Sequence, residues 1–191
     1  MIFKIIIGLT GPIAGGKGIV ADYLDSLGFF RTSLSDRIRE EILRRGEEIT
    51  REKLQNVADE LRNTYGPEVL ASRTWQVILE KTKDKAVVDS IRGEAEVDFF
   101  KKDTDFVLIG VTAPAKLRYG RIKQRRREED PQSWEEFIEV DKKDLKSGKG
   151  KFGRNIGKCL KKADFLIKNT GTPDELIEKT KKILRKIVRQ G

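Results

Sequence analysis

The glycine-rich segment at residues 8–20, GLTGPIAGGKGIV, constrains the fold of this chain more than any other stretch. Residues 3–9 are apolar and rich in β-branched side chains, which predicts a buried strand, and apolar residues recur at helical spacing after the segment. Glycines at such a strand-to-helix turn let successive backbone N–H groups point inward, towards an anion at the helix N-terminus. The segment is therefore predicted to bind phosphate.

Gly11, Gly16 and Lys17 match the nucleotide-binding pattern of Gly, four residues, Gly and Lys. The pattern then requires a hydroxyl that ligates Mg²⁺, but this chain has Gly18 followed by Ile19. The alternative to a nucleotide-binding loop is a tight turn with a surface lysine. We expect a triphosphate site, with Lys17 on the β- and γ-phosphates and contacts from Gly11, Ala14, Gly15, Gly16, Lys17, Gly18 and Ile19.

Strand and helix patterns alternate along the rest of the chain. Because parallel strands need crossover connections, the alternation predicts an α/β fold with a five-stranded parallel sheet covered on both faces. The predicted strands lie at residues 3–9, 29–32, 85–89, 105–111 and 163–168. Its 191 residues suit one domain, with a core at 1–34, 84–120 and 160–191, a helical insertion at about 35–83, and a second at about 121–158.

Composition limits the chemistry. The chain has no histidine, which excludes Ser-His-Asp catalysis and histidine-ligated metal sites. Its net charge of +9 predicts an anionic partner such as a nucleotide, nucleic acid or acidic lipid. The single Cys159 forms no internal disulfide, and the apolar N-terminal run is too short for a membrane span. We expect a cytoplasmic protein without a membrane partner, and no feature sets an oligomeric state.

Four charged residues are candidates for a second anion site facing the loop. Asp36 and Arg39 are three residues apart, so they share a face at the start of a helix, although such a pair is also a common surface ion pair. Arg62 follows in a helical stretch and is either part of this site or solvated. Arg92 follows the strand of residues 85–89 and would point across the cleft. Arginine suits the role because its planar fork binds phosphate bidentately.

Asp89 ends a buried strand predicted to lie beside the glycine-rich loop. A carboxylate there would hold the Mg²⁺ shell or accept the proton of a substrate. Its alternative is capping of the following turn.

The helix predicted at residues 114–127 is strongly basic. Arg118, Arg121 and Arg125 fall on one face, and Arg126 lies close to it. Such arginines would stabilise a transferring phosphoryl group. The alternative is a solvated basic helix without a catalytic role.

These motifs resemble P-loop nucleoside monophosphate kinases. Adenylate kinase and its relatives also have Gly after the loop lysine, but usually follow it with Thr where this chain has Ile19. The Asp36-x-x-Arg39 spacing is similar to theirs as well, and in those enzymes the helix carrying Arg121 leads into a lid. Residues 58–67 and the Asp89-x-Ile-Arg92 run resemble deoxynucleotide kinases and archaeal kinase-like proteins.

GLTG before a glycine-rich loop also resembles dephospho-coenzyme A kinases. Their run near the nucleotide base is similar to residues 163–171, which implies that Asn169 lies near the base. In that family, however, the acceptor-side arginine comes one residue later than Arg39.

The resemblance implies a three-layer P-loop kinase fold with an acceptor-binding helical insertion and a basic lid. It implies ATP and Mg²⁺ as cofactors, with γ-phosphoryl transfer to a nucleoside or deoxynucleoside monophosphate, or to dephospho-coenzyme A. The expected catalytic residues are Lys17, Asp89, Arg121 and Arg125, with Asp89 as the metal ligand. The expected acceptor-binding residues are Asp36, Arg39, Arg62, Arg92 and Arg126.

A function of another class stays open at this point. The loop would then be a nucleotide-dependent switch in an RNA-associated factor, with basic residues 142–162 and 181–189 contacting the RNA backbone. Nucleic acid is the less favoured partner, because aromatic residues for base stacking are few and no RNA-recognition motif is present.

Overall fold

A computed structural model of the chain describes residues 5–82, 84–103, 105–125, 130–145 and 155–190. Its five strands form one parallel sheet in the order β2-β3-β1-β4-β5, which confirms the predicted α/β fold. The strands are β1 (Ile5–Thr10), β2 (Phe30–Ser33), β3 (Lys85–Ile91), β4 (Asp105–Thr112) and β5 (Phe165–Lys168).

The described helices connect these strands. They are α1 (Lys17–Ser26), α2 (Leu34–Arg44), α3 (Arg51–Tyr65), α4 (Val69–Lys81), α5 (Glu94–Asp103), α6 (Ala115–Arg125), α7 (Trp134–Leu145), α8 (Ile156–Lys161) and α9 (Pro173–Gln190). Residues 34–81 form three of them, α2, α3 and α4, which are divided near Gly46 and Gly66. None of the helices in the described parts of the chain is both long and apolar enough to cross a bilayer.

Two elements differ from the sequence-based expectation. The short helix α8 was not predicted, because its six residues, IGKCLK, contain too few apolar positions for a periodic signal; the Asn155 side chain caps it by accepting from Lys158 N. Strand β3 continues to Ile91, so Asp89 lies inside the strand rather than at its end. The pairing register between β1 and β3 shifts by one residue between Gly8 and Thr10, so that Thr10 pairs with Ile91.

Apolar side chains cover both faces of the sheet. On one face, Ile6 joins a cluster with the insertion helices and α5; on the other, Ile7 joins a cluster with α1 and α9. This alternation along β1 is expected of a strand buried on both sides. The phosphate-loop segment leaves the sheet between these two layers, at the carboxyl end of the central strand β1.

The loop after β1 packs directly against the backbone of β4. Gly11 has a φ of 140°, and a Cβ added there would lie 2.1 Å from the Val111 carbonyl oxygen. At Gly15 the corresponding distance to the same oxygen is 2.7 Å. Only glycine permits this approach, because any side chain would push the loop away from the sheet.

We therefore expect Gly11→Ala to destabilise the protein by about 1–3 kcal/mol or more, since it adds backbone strain to a steric clash. Gly18→Ala is the matched control, because no atom lies within 4 Å of a Cβ at that position. Urea unfolding of the two variants measures the difference. Equal unfolding midpoints would show that the loop is not constrained by β4.

Candidate functional site

A cavity of about 860 Å³ opens at the carboxyl ends of the strands. Residues 13–19 of the phosphate loop form one part of its wall. The remainder comes from β2, the start of α2, α3, α4, the end of β3, α6 and Asp130. The charged residues that line it are Lys17, Arg31, Asp36, Arg39, Arg62, Asp89, Arg92, Arg121, Arg125 and Asp130.

The phosphate loop has the backbone conformation of an anion-binding turn. Gly11, Ala14 and Gly16 have φ values of 140°, 56° and 112°. Lys17 Nζ donates to the carbonyl oxygens of Gly11 at 2.8 Å and Pro12 at 3.1 Å, which holds the ammonium over the loop. Part of the Lys17 side chain stays accessible, yet desolvation of the ammonium lowers its pKa below the ordinary value. The Asp89 carboxylate opposes this shift and is the foremost charge that raises the Lys17 pKa.

Asn169 supports the loop from the β5 side. It is only 3% exposed, and its Nδ2 donates to the Gly15 carbonyl oxygen at 2.9 Å. Gly16 is required beside it, because a Cβ there would lie 2.3 Å from Asn169 Nδ2. The structure thus places Asn169 against the loop backbone and not among the residues that line the cavity.

Asp89 lines the cavity at the carboxyl end of the sheet. Its Oδ1 accepts from Ser90 N at 2.5 Å, and Ser90 has a φ of 64°, which is uncommon for a residue with a side chain. The Asp89 carboxylate thus bonds the adjacent backbone N–H group within β3, and the residue lines the cavity as well.

Asp36 and Arg39 both line the cavity, but they do different things. Asp36 Oδ2 accepts from Ser33 N at 2.9 Å, while Ser33 Oγ accepts from Ser35 N at 3.2 Å, so Asp36 closes a capping box at the start of α2. Among the described residues, no carboxylate lies within ion-pair distance of Arg39. The Asp-x-x-Arg motif is thus a helix cap followed by an arginine that is left available for a ligand.

Glu96 is a functional candidate that sequence reasoning missed. It is 0% exposed, and its Oε1 accepts from Arg62 Nη2 at 2.8 Å. Its Oε2 accepts from the backbone N–H groups of Arg92 and Gly93, both at 2.9 Å. The sequence contains only a weak signal for this role, namely a glutamate three residues after Gly93 in the first turn of a helix.

Arg62 and Arg92 reach the cavity from different elements. Arg62 is 4% exposed, and its buried Nη1 has no hydrogen-bond partner among the described residues, although Asp59 forms an ion pair with it at 3.7 Å. Arg92 Nη1 lies 3.4 Å from both carboxylate oxygens of Asp144 on α7. One of the two arginines therefore lies on α3 and the other on the turn between β3 and α5.

The arginines of α6 divide into two groups. Arg121 and Arg125 line the cavity; Arg121 donates to the Ala14 and Asn169 carbonyl oxygens at 3.4 and 3.1 Å, and Arg125 pairs with Asp130 through Nε at 2.6 Å. Arg118 does not line it. Arg126, which the sequence groups with them, lies outside the described residues.

Arg118 has a structural position. Its guanidinium is buried and donates to both carboxylate oxygens of Asp141, each at 2.6 Å, and to the Ala113 carbonyl oxygen at 2.8 Å. It also contacts the Phe137 ring, with Cζ 5.2 Å from the ring centroid. Neither a lid role nor a solvated helix face describes this residue, which joins α6 to α7.

The proposed RNA-contacting lysines are partly neutralised in the described regions. Four of them form ion pairs at 2.6–2.7 Å: Lys143 with Glu139, Lys158 with Glu94, Lys162 with Asp98 and Lys181 with Glu178. Residues 146–154, between α7 and α8 in the sequence, lie outside the described part of the chain.

Removal of the Asp141 carboxylate should test the structural role of Arg118. Asp141→Ala leaves a buried guanidinium without its counter-charge, so we expect it to lower the free energy of unfolding by about 3–5 kcal/mol. Glu139→Ala on the same helix is the control, because it removes only an exposed partner of Lys143 and should leave the unfolding midpoint unchanged. Urea titration measures both, and equal effects would contradict the assignment.

Comparison with known sequences places the chain in a family. The AAA domain model AAA_18 matches residues 7–145. The chain is 34% identical over 190 residues to the UPF0200 protein of Thermococcus gammatolerans, with 96% of each chain covered. It is 37% identical over 188 residues to the UPF0200/UPF0201 protein of Archaeoglobus fulgidus, covering 96% of this chain and 56% of that protein. The chain thus spans little more than half the length of the second relative.

Solved structures with the same fold include small-molecule kinases. The dephospho-CoA kinase from Campylobacter jejuni has a TM-score of 0.52 and 24% identity, covering 96% of this chain and 97% of that one. The shikimate kinase from Acinetobacter baumannii in complex with shikimate has a TM-score of 0.56 and 17% identity, covering 100% of this chain and 95% of that one. The fold is therefore that of P-loop kinases, and the protein belongs to the UPF0200 family of AAA-domain proteins.

Proposed function

We propose that the protein is an ATP-dependent kinase that transfers the γ-phosphoryl group to a nucleoside or deoxynucleoside monophosphate. The observation that carries this proposal is that two groups of residues whose chemistry suits anion binding line one cavity. Lys17 and the phosphate loop form the first, and Arg39, Arg62 and Arg92 form the second.

The donor group suits a triphosphate. The backbone N–H groups of the loop and the start of α1 would attract its phosphates, and Lys17 would exchange its carbonyl partners for phosphate oxygens. Arg121 and Arg125 line the cavity from α6, and positive charge there would stabilise the transition state of phosphoryl transfer. In this proposal residues 121–158, with Arg126 among them, act as the lid.

Mg²⁺ is compatible with the residues present. It needs few protein ligands, because it retains water and binds the phosphates of the nucleotide. Asp89 would hold its shell. No group of three carboxylate or thiol ligands occurs among the described residues, and position 18 has no hydroxyl, so the protein would supply little more than this one carboxylate. The ion would neutralise charge on the transferring group.

The acceptor group favours a ligand that carries its own phosphate. Arg39 has no carboxylate partner among the described residues, and Arg62 Nη1 has no acceptor. A phosphate monoester would satisfy both, whereas a neutral hydroxyl compound would leave buried donors unpaired. Residues 35–83 would thus be the acceptor-binding insertion. Apolar residues that line the cavity would cover the flat face of a base: Ile38, Leu54, Ala58 and Leu70 of this insertion, and Leu34 directly before it.

The proposed step needs no general base when the acceptor is a phosphate. An oxygen of the acceptor dianion, which carries no proton, attacks the γ-phosphorus. The bond from that phosphorus to the β–γ bridging oxygen breaks, and ADP leaves with the electron pair. Asp89 then acts only through the metal shell. If the acceptor is instead the hydroxyl of dephospho-coenzyme A, the second candidate, Asp89 would have to accept its proton.

We expect Lys17→Ala to lower turnover about 10²–10³-fold or more, because it removes a fixed positive charge from the transferring phosphates. Lys116→Ala, at an exposed position on α6, is the matched control and should retain full turnover. The assay is coupled ADP release with Mg-ATP. The panel comprises all nucleoside and deoxynucleoside monophosphates and dephospho-coenzyme A.

Turnover with one member of the panel would identify the acceptor. Equal turnover in wild type and Lys17→Ala would overturn the assignment of the loop. Bound ATP without transfer to any member, together with salt-sensitive RNA binding, would instead favour the RNA-associated factor.

A further inference from the structure

We infer that Glu96 is a positioning residue for the acceptor phosphate, and that it acts through Arg62. This inference rests on the proposed function, since it assigns a role within the acceptor side of the same cavity. Glu96 is not itself among the residues that line the cavity. Its influence must therefore pass through the groups that it holds.

The burial of Glu96 requires an explanation beyond helix capping. Its position, three residues after Gly93 in the first turn of α5, allows it to accept from the backbone N–H groups of Gly93 and Arg92. A carboxylate can perform that task at the surface, yet Glu96 is 0% exposed. A buried charge is costly unless it is paired, and its partner is the Arg62 guanidinium at 2.8 Å. The pair joins α3 of the insertion to the β3–α5 turn.

The contact fixes the direction of the Arg62 fork. A guanidinium is planar and rigid, so a bond from Nη2 to Glu96 also determines where Nη1 lies. Nη1 is buried without a hydrogen-bond partner, in a side chain that lines the cavity. Asp59, at 3.7 Å, is too distant for a hydrogen bond. An acceptor phosphate oxygen would supply the missing partner.

The other oxygen of Glu96 holds the second arginine by its backbone. Oε2 accepts from Arg92 N and Gly93 N, which anchors the turn from which the Arg92 side chain extends. Arg39 lies on α2, and no hydrogen bond joins it to Glu96 in the described structure. One carboxylate therefore orients two of the three acceptor arginines, and the third is independent of it.

Equilibrium binding tests this inference without relying on turnover. Inorganic phosphate and AMP are titrated by calorimetry into protein saturated with a non-hydrolysable ATP analogue, so that the phosphate loop is occupied. The variants are Glu96→Gln, Arg62→Ala, their double mutant, and Arg39→Ala alone and combined with Glu96→Gln. Glu94→Gln is the matched control, because Glu94 lies in the same first turn but pairs with Lys158 at the surface.

We expect Glu96→Gln to weaken phosphate and AMP binding about tenfold or more, since it loosens a buried charge pair, while the ATP analogue binds as in wild type. In the Arg62→Ala background, Glu96→Gln should weaken phosphate and AMP binding much less, because Arg62, through which Glu96 acts, is gone. In the double mutant of Glu96→Gln and Arg39→Ala, the fold-losses in affinity of the two single variants should multiply, because Arg39 acts independently of Glu96. Glu94→Gln should change neither affinity.

Several results would overturn the inference. The first is full phosphate affinity in Glu96→Gln. The second is that Glu96→Gln weakens binding equally with Arg62 present and with Arg62 replaced by Ala. The third is wild-type protein that binds phosphate and AMP no better than Arg62→Ala does. If Glu96→Gln fails to fold, Arg62→Lys replaces it, because lysine keeps the charge opposite Glu96 but lacks the second nitrogen. Arg62→Lys should then weaken phosphate and AMP binding as much as is expected of Glu96→Gln. Wild-type affinity in Arg62→Lys would contradict the inference. Phosphate binding without turnover would contradict only the proposed kinase function.

Discussion

The close approach of the phosphate loop to strand β4 is the constraint on which the rest of the site depends. Gly11 and Gly15 bring the loop backbone against the Val111 carbonyl, and the Asn169 amide holds it from the other side. These contacts fix where α1 begins and therefore where Lys17 projects. The cavity, the arginines around it and the carboxylate of Asp89 are all arranged relative to this rigid turn.

Buried carboxylates determine what the many arginines of this chain can do. Asp141, Asp144, Glu96 and Asp130 are each less than 9% exposed, and each holds one arginine. The Asp141 pair joins two helices, and neither of its residues lines the cavity. The other three hold arginines that line the cavity, so part of their positive charge is compensated before any anion binds. Arg39, which has no such partner among the described residues, keeps its full attraction for an anion.

Local patterns were sufficient to predict much of the architecture from the sequence. All five strands and the three helices of the insertion follow from apolar periodicity and glycine breaks, and the loop from its glycines and Lys17. Long-range partners could not be predicted in this way. Arg118 and Arg121 share a helix face in the sequence pattern. Arg118 has a structural role only because Asp141, on another helix, pairs with it, and the sequence does not show that pairing. Glu96 was missed because its role depends on Arg62, which is 34 residues away.

In the proposed function, one cavity holds a phosphoryl donor and a phosphate-bearing acceptor at once. Dinucleoside pentaphosphates, in which a phosphate chain joins both nucleosides, test it most directly by calorimetry. We predict that one of them binds with a stoichiometry of one per chain and about 10²-fold or more tighter than ATP, because it occupies both sites without a second loss of translational freedom. Binding of every such compound no tighter than ATP would contradict the account.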